Sequence, residues 1–158
     1  MKKAMLLLVL TITSSMAVSA QDFASRFMMD FNKDTTIHCQ TISPKMMERL
    51  VDMHREKNGR TEARQLIAKL KSARIIQGAD KPKYFLHAEK MLKHNRQRFI
   101  PLHQSTAHGN NQIFVRRKED CIIELIMLNK DSATGTFTIV NLTGDMDDDF
   151  IRILSGNK

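Results

Sequence analysis

Four aspartates fall within five positions near the C-terminus, in "LTGDMDDDFIRIL" (142–154): Asp145, Asp147, Asp148 and Asp149. Carboxylates at that density could hold a calcium ion or work as an acid–base pair. An EF-hand loop needs oxygen ligands at positions 1, 3 and 5, Gly at 6 and a bidentate Glu at 12. Counted from Asp145, positions 3 and 5 are Asp147 and Asp149, but position 6 is Phe150 and position 12 is Gly156. The turn residue and the decisive ligand are both missing. A helix start uses all four acids instead, with Asp145 as cap and Asp147 to Asp149 in the first turn. There the N–H groups are unpaired and each carboxylate contributes about 0.3–1 kcal/mol. No metal and no cofactor is expected at this cluster.

His87, Met91 and His94 stand at helical spacing and could hold copper through imidazole and thioether, but Met91 suits the core edge and exposed histidines are common on a basic helix, so no metal is expected here. Met28, Met29, Met46, Met47 and Met53 could likewise form a methionine-rich copper surface, but helical spacing makes them core filler. The densest basic clusters are "RQR", with Arg96 and Arg98, and "RRK", with Arg116, Arg117 and Lys118; these are the candidate anion contacts. Nucleic acid is not expected, because stacking needs aromatics and the chain has no Trp and one Tyr. There is no G-x-S-x-G elbow, H-E-x-x-H, Gly-rich phosphate loop or C-x-x-C. Cys39 beside His38 is no dyad, since adjacent strand residues face opposite ways. A non-enzyme is the expectation.

These residues need elements to position them. Phe23, Phe27, Met28 and Phe31 recur as on a short helix, and "TTIHCQTI" (35–42) reads as a strand. "SPKMMERLVDMHREKNG" is a helix capped by Ser43 and ended by Gly59, with Met46, Leu50 and Met53 on its inner face. Another helix runs from Thr61 through Leu70, followed by the strand "SARIIQG". Asp80 caps a helix whose core stripe is Phe85, Ala88 and Leu92. After Pro101 come strands separated by turns: "PLHQST", "QIFVRR", "CIIELIMLN" and "TFTIVNL". A final helix turns Phe150, Ile151 and Leu154 inward. The expected class is α+β, an antiparallel β-meander with helices packed on one face.

The first residues, "MKKAMLLLVLTITSSMAVSA", have the form of a secretory leader: Lys2 and Lys3, an apolar stretch from Ala4 to Thr13, and Val18-Ser19-Ala20 as cleavage site. The apolar stretch falls short of the about 20 residues a membrane span needs. Cleavage after Ala20 leaves one domain, 21–158, expected in the periplasm or secreted, not membrane-spanning, and without a cysteine to carry a lipid anchor. Losing Lys2 and Lys3 takes the basic count from 25 to 23 against 17 acids, a net +6. Residues 45–118 hold 18 Lys and Arg against 6 acids, and residues 119–158 hold 3 against 8. Such a basic body suits anionic surfaces or simply solvated helix faces. Two cysteines, Cys39 and Cys121, permit one disulfide in an oxidising compartment. Their strand-like surroundings favour two buried thiols.

The runs "LIAKLKSARIIQG", "IFVRRKEDCIIELIML" and "TIVNLTGDMDDDFIRIL" resemble the domain-of-unknown-function family 4252, small exported proteins chiefly of the Bacteroides group. The shared features are the hydrophobic E-L pair, here Glu124-Leu125, and the "G-x-hydrophobic-D" helix start, here Gly144 to Asp147. The resemblance implies an envelope location, a link to extracytoplasmic sigma-factor systems and no catalytic residues. In that group exported proteins carry O-glycans at Asp-(Ser/Thr)-(Ala/Thr), which makes Ser132 and Thr35 candidate acceptors. The expected function is a non-catalytic envelope binding or interaction domain with an envelope protein as partner. The alternatives are a binder of lipid phosphate or acidic glycan through 45–118, and an unfamiliar enzyme gathering His38, His87 or His103 with carboxylates.

Overall fold

The structure, a computed structural model, describes residues 21–53, 60–79, 82–102 and 111–154. The leader, His103, the Asp80 cap and the end of the second helix lie outside the described residues. In chain order the elements are α1 (Phe23–Asp30), β1 (Ile37–Ile42), α2 (Pro44–Met53), α3 (Arg60–Ala68), β2 (Leu70–Ala79) and α4 (Pro82–His94). They continue with β3 (Ile100–Leu102), β4 (Asn111–Lys118), β5 (Cys121–Asp131), β6 (Thr136–Met146) and α5 (Asp148–Leu154). The class is α+β, as the patterns predict.

All strands pair antiparallel in one sheet, ordered β1-β2-β6-β5-β4-β3. Strands β3 to β6 are a meander of hairpins. Strand β2 then joins the far side of β6, so α4 must carry the chain from one half of the sheet to the opposite edge. Strand β5 is central, and "IIELIML" is apolar at every position but Glu124 because side chains on both of its faces enter a core.

Strand alternation divides the core in two. On the first face Ile76, Ile126, Leu128, Phe137 and Ile139 meet α1 and α4, through Phe23, Phe27, Tyr84, Ala88 and Leu92. Each buried Ile, Leu or Phe among them contributes about 1.5–3 kcal/mol. The inward stripe of α4 is rotated by one residue from Phe85 to Tyr84, which is fully buried. Burial of Tyr84 is tolerated because its hydroxyl meets Asp34 and, at 2.9 Å, Thr36. On the second face Ala73, Val115, Leu125, Leu142 and Met146 meet Phe150 of α5, with Met47 and Leu66 of α2 and α3 at the margin. The expected layer of helices over one face is thus α1 and α4, and the other face is roofed in part only.

Helix α2 departs from expectation. Ser43 caps it as predicted, its Oγ 3.3 Å from the Met46 N–H. Its supposed inner stripe is instead exposed, at 46% for Met46, 48% for Leu50 and 70% for Met53. The inward residue is Met47, half-buried against the second cluster. An apolar sector wider than the core it faces leaves one margin in solvent.

Candidate functional site

The aspartates do not converge. Strand β6 runs on to Met146, so the cap of α5 is Asp147 rather than Asp145: its Oδ1 accepts the Phe150 N–H at 2.9 Å. Asp145 pairs with Lys71, Asp147 with Lys69, Asp148 with Arg117 and Asp149 with Arg152, at 2.5–3.0 Å. Each acid has its own cation, and Asp147 to Asp149 form the helix start while Asp145 belongs to β6. Among the described residues no group of three or more His, Cys, Asp or Glu could hold a metal ion.

The Lys69 hydrogen bond, with the Phe150 N–H beside it, holds the Asp147 carboxyl below its ordinary pKa. A depressed folded pKa means that this stabilisation is complete at neutral pH and is lost as pH falls below the usual carboxylate range. Asp147→Ala is expected to cost about 1 kcal/mol in a urea titration, whereas Asp147→Asn, which still caps, costs less than half of that. An equal loss in both variants would assign the effect to the exposed Lys69 pair instead.

The histidine–methionine line separates too. His87 Nε2 lies 2.7 Å from Asp30, His94 Nδ1 lies 2.9 Å from the Lys90 carbonyl, and Met91 packs against the first core. His38 is exposed on β1. Of the five methionines, Met28 and Met47 are half-buried on opposite faces, whereas Met29, Met46 and Met53 are exposed, which corrects their reading as core filler.

The candidate anion contacts do not form one cationic surface. Arg96 and Lys118 are exposed, and Arg117 is engaged by Asp148. Arg98 donates to the Gln21 carbonyl at 3.3 Å and lies over the Phe99 ring. Burial, and then the neighbouring Arg116 charge, lowers the Arg98 guanidinium from its ordinary value. Arg116 Nε lies 2.9 Å from Glu124 Oε2, an ion pair whose angle is too poor for an aligned hydrogen bond.

Glu124 is the residue that composition did not single out. It is fully buried, and its Oε1 accepts the Phe23 N–H at 2.6 Å and the Asn141 Nδ2–H at 3.1 Å. Asn141 Oδ1 in turn accepts the Ala24 N–H at 2.9 Å, and Asp22 Oδ1 accepts that of Ser25 at 2.8 Å. Three of the N–H groups that a helix start leaves unpaired are therefore satisfied, two of them by strand side chains more than 100 positions away. The E-L pair is half clamp and half core: Glu124 holds α1 on the first face and Leu125 packs on the second.

Cys39 and Cys121 are free and exposed, not buried. Two strands stand between β1 and β5, so the cysteines are at least about 14 Å apart, beyond the reach of a disulfide. Although Cys39 is exposed, partial desolvation of its thiol by the surrounding chain raises its pKa, with the Arg74 charge opposing. Ser132 is exposed in the β5–β6 turn, where Asp131 accepts the Ala133 N–H at 2.9 Å, and Thr35 is exposed before β1.

The concavity that these pairs leave is apolar. On the second face, Ile113, Leu125, Met127 and Val140 floor a groove of about 310 Å³ walled by Ile151 and Leu154 of α5. Asn111 and Asn129 lie at its mouth. The volume is at the small end of ligand pockets, and an apolar floor with a few uncharged polar groups suits an apolar ligand. Spacing could not predict the groove, because three strands and a helix far apart in sequence build it. A depression along Asp30 to Thr35, of about 440 Å³, is flatter and lined by polar residues except for Phe31. No described helix is long and apolar enough to cross a membrane.

Compared with known proteins, the chain matches the family model described as a domain of unknown function (DUF4252) over residues 28–154. No curated protein and no solved structure matches it.

Proposed function

The chain belongs to the DUF4252 family, and from that premise we propose that it is an exported, non-catalytic binding module whose ligand seats in the groove between β4–β6 and α5. The observation that carries this reading is the part-roofed second face of the sheet, where Ile113, Met127 and Val140 lie half-buried and, among the described residues, only Ile151 and Leu154 of α5 line the groove from a helix. The ionisable groups support it as well, being engaged pairwise around the fold and not gathered in the concavity. The ligand is apolar, an acyl chain or the apolar side chains of an envelope protein segment, because none of the described residues that line the groove is charged. The leader-like first residues, with Lys2 and Lys3 before an apolar stretch, support an address outside the cytoplasm.

Titration with the neutral fluorophore N-phenyl-1-naphthylamine tests the groove. Its emission is expected to rise and saturate with one probe per chain. Leu154→Asp, which puts a carboxylate in the groove wall at a position already 38% exposed, is expected to weaken binding at least about tenfold with the melting temperature little changed. Equal binding by Leu154→Asp and the unmodified chain would place the ligand elsewhere.

A further inference from the structure

The two edges of the sheet are treated differently by the sequence. Edge strand β3 is three residues long with Pro101 at its centre, so it offers little to pair with and lacks one N–H donor. Edge strand β1 has none of those protections. It runs six residues, Ile37 to Ile42, in unbroken register against β2, with no bulge, glycine or proline. Residues 35–44 contain no Asp, Glu, Lys or Arg, in a chain in which 27% of residues are charged. His38, Cys39, Gln40 and Thr41 are all exposed. An edge of this kind is a template for another strand.

The neighbouring helix adds to this surface. One residue separates β1 from α2, whose Met46, Leu50 and Met53 stand out in solvent. A stable interface buries about 800 Å² per partner, more than one six-residue strand presents. The methionine–leucine stripe next to the edge enlarges the surface with apolar area.

We propose that β1 is a self-association edge: a second copy of the chain lays its own β1 antiparallel against it across a two-fold axis, and one sheet continues through both copies. The occupant is a second copy because the edge is self-complementary. Laid against itself, an uncharged strand meets no like charge, although the chain around it is strongly basic. It offers no charge by which an acidic or basic partner would be selected. This edge lies away from the apolar groove, so either assignment stands or falls alone.

Sedimentation velocity on the chain from Gln21 onward, over the micromolar range, reads the result. A concentration-dependent dimer is expected. His38→Lys and Gln40→Lys, both at exposed positions, are each expected to weaken it at least about tenfold while the melting temperature holds. Maleimide labelling supplies a second reading without any substitution. Cys39 in the edge is expected to react more slowly as the dimer forms, with Cys121, near the β4–β5 turn, unchanged as internal control. A monomer at every concentration overturns the proposal. So does a dimer that ignores both lysines and leaves Cys39 as reactive as in the monomer. A monomeric chain that captures a strand of a different protein at this edge overturns the second copy as occupant.

Discussion

Glu124→Ala is expected to lower the free energy of unfolding by about 3–5 kcal/mol, a large part of the 5–15 kcal/mol that holds an ordinary domain together. The loss has three sources. The Phe23 N–H is left without its 2.6 Å acceptor, the Asn141 amide loses one partner, and the Arg116 guanidinium is left sheltered beside no carboxylate. Helix α1 is expected to loosen from the sheet, since two of its first N–H groups are held by the Glu124–Asn141 pair. Glu124→Gln keeps an acceptor for Phe23 and Asn141 but gives up the charge facing Arg116, so an intermediate loss of about 1–3 kcal/mol is expected. Urea titration gives the magnitudes, and amide exchange at Ala24 reports whether α1 comes away. A Glu124→Ala chain as stable as the original would mean that the clamp is not formed in solution.

Gly144→Ala is expected to cost about 4 kcal/mol or more, in the range where a point change signals a backbone conflict. A Cβ on Gly144 would lie 2.1 Å from the Lys69 carbonyl oxygen and 2.9 Å from Leu70 Cα. Neither atom is the end of a flexible side chain. The strands are locked at this point: the Asp145 N–H donates to the same Lys69 carbonyl at 2.9 Å, beside the register shift between Leu70 and Ser72. Gly135→Ala is the control. Its φ of 62° favours glycine, but nothing lies within 4 Å of the added Cβ, so the cost is limited to about 1–2 kcal/mol for the left-handed backbone. If the two alanine variants melted alike, the close approach at Gly144 would be wrong.

Both residues belong to the motifs that carry the family resemblance, and both act on the fold. That explains why the motifs suggest a family and no chemistry. The strands were legible because β-branched runs and turn residues alternate along 111–146, and Ser43 and Pro44 marked the start of α2 by their own chemistry. Asp147 was displaced from its expected place by one effect, the extension of β6 through Met146, which moved the strand–helix boundary past Asp145. Periodicity identified α2 as amphipathic but could not say which part of its apolar sector finds a partner, so Met46, Leu50 and Met53 were expected inside. Glu124 offered one signal, a lone charge in an otherwise apolar strand run. Its partners, the Phe23 N–H and Asn141, come from segments that spacing along the chain cannot connect. The groove left no trace in the sequence, since its floor and wall meet only when β4, β5, β6 and α5 are assembled.

The groove is tested most directly by the carbon-13 signals of the methionine methyl groups during titration with N-phenyl-1-naphthylamine. Met127 lines the groove, Met146 is sealed in the core, and Met29, Met46 and Met53 are exposed elsewhere. The predicted result is a saturable shift of Met127, with Met146 and the exposed methionines still. A stationary Met127 while Met46 and Met53 move would contradict the groove and make the α2 stripe the binding surface.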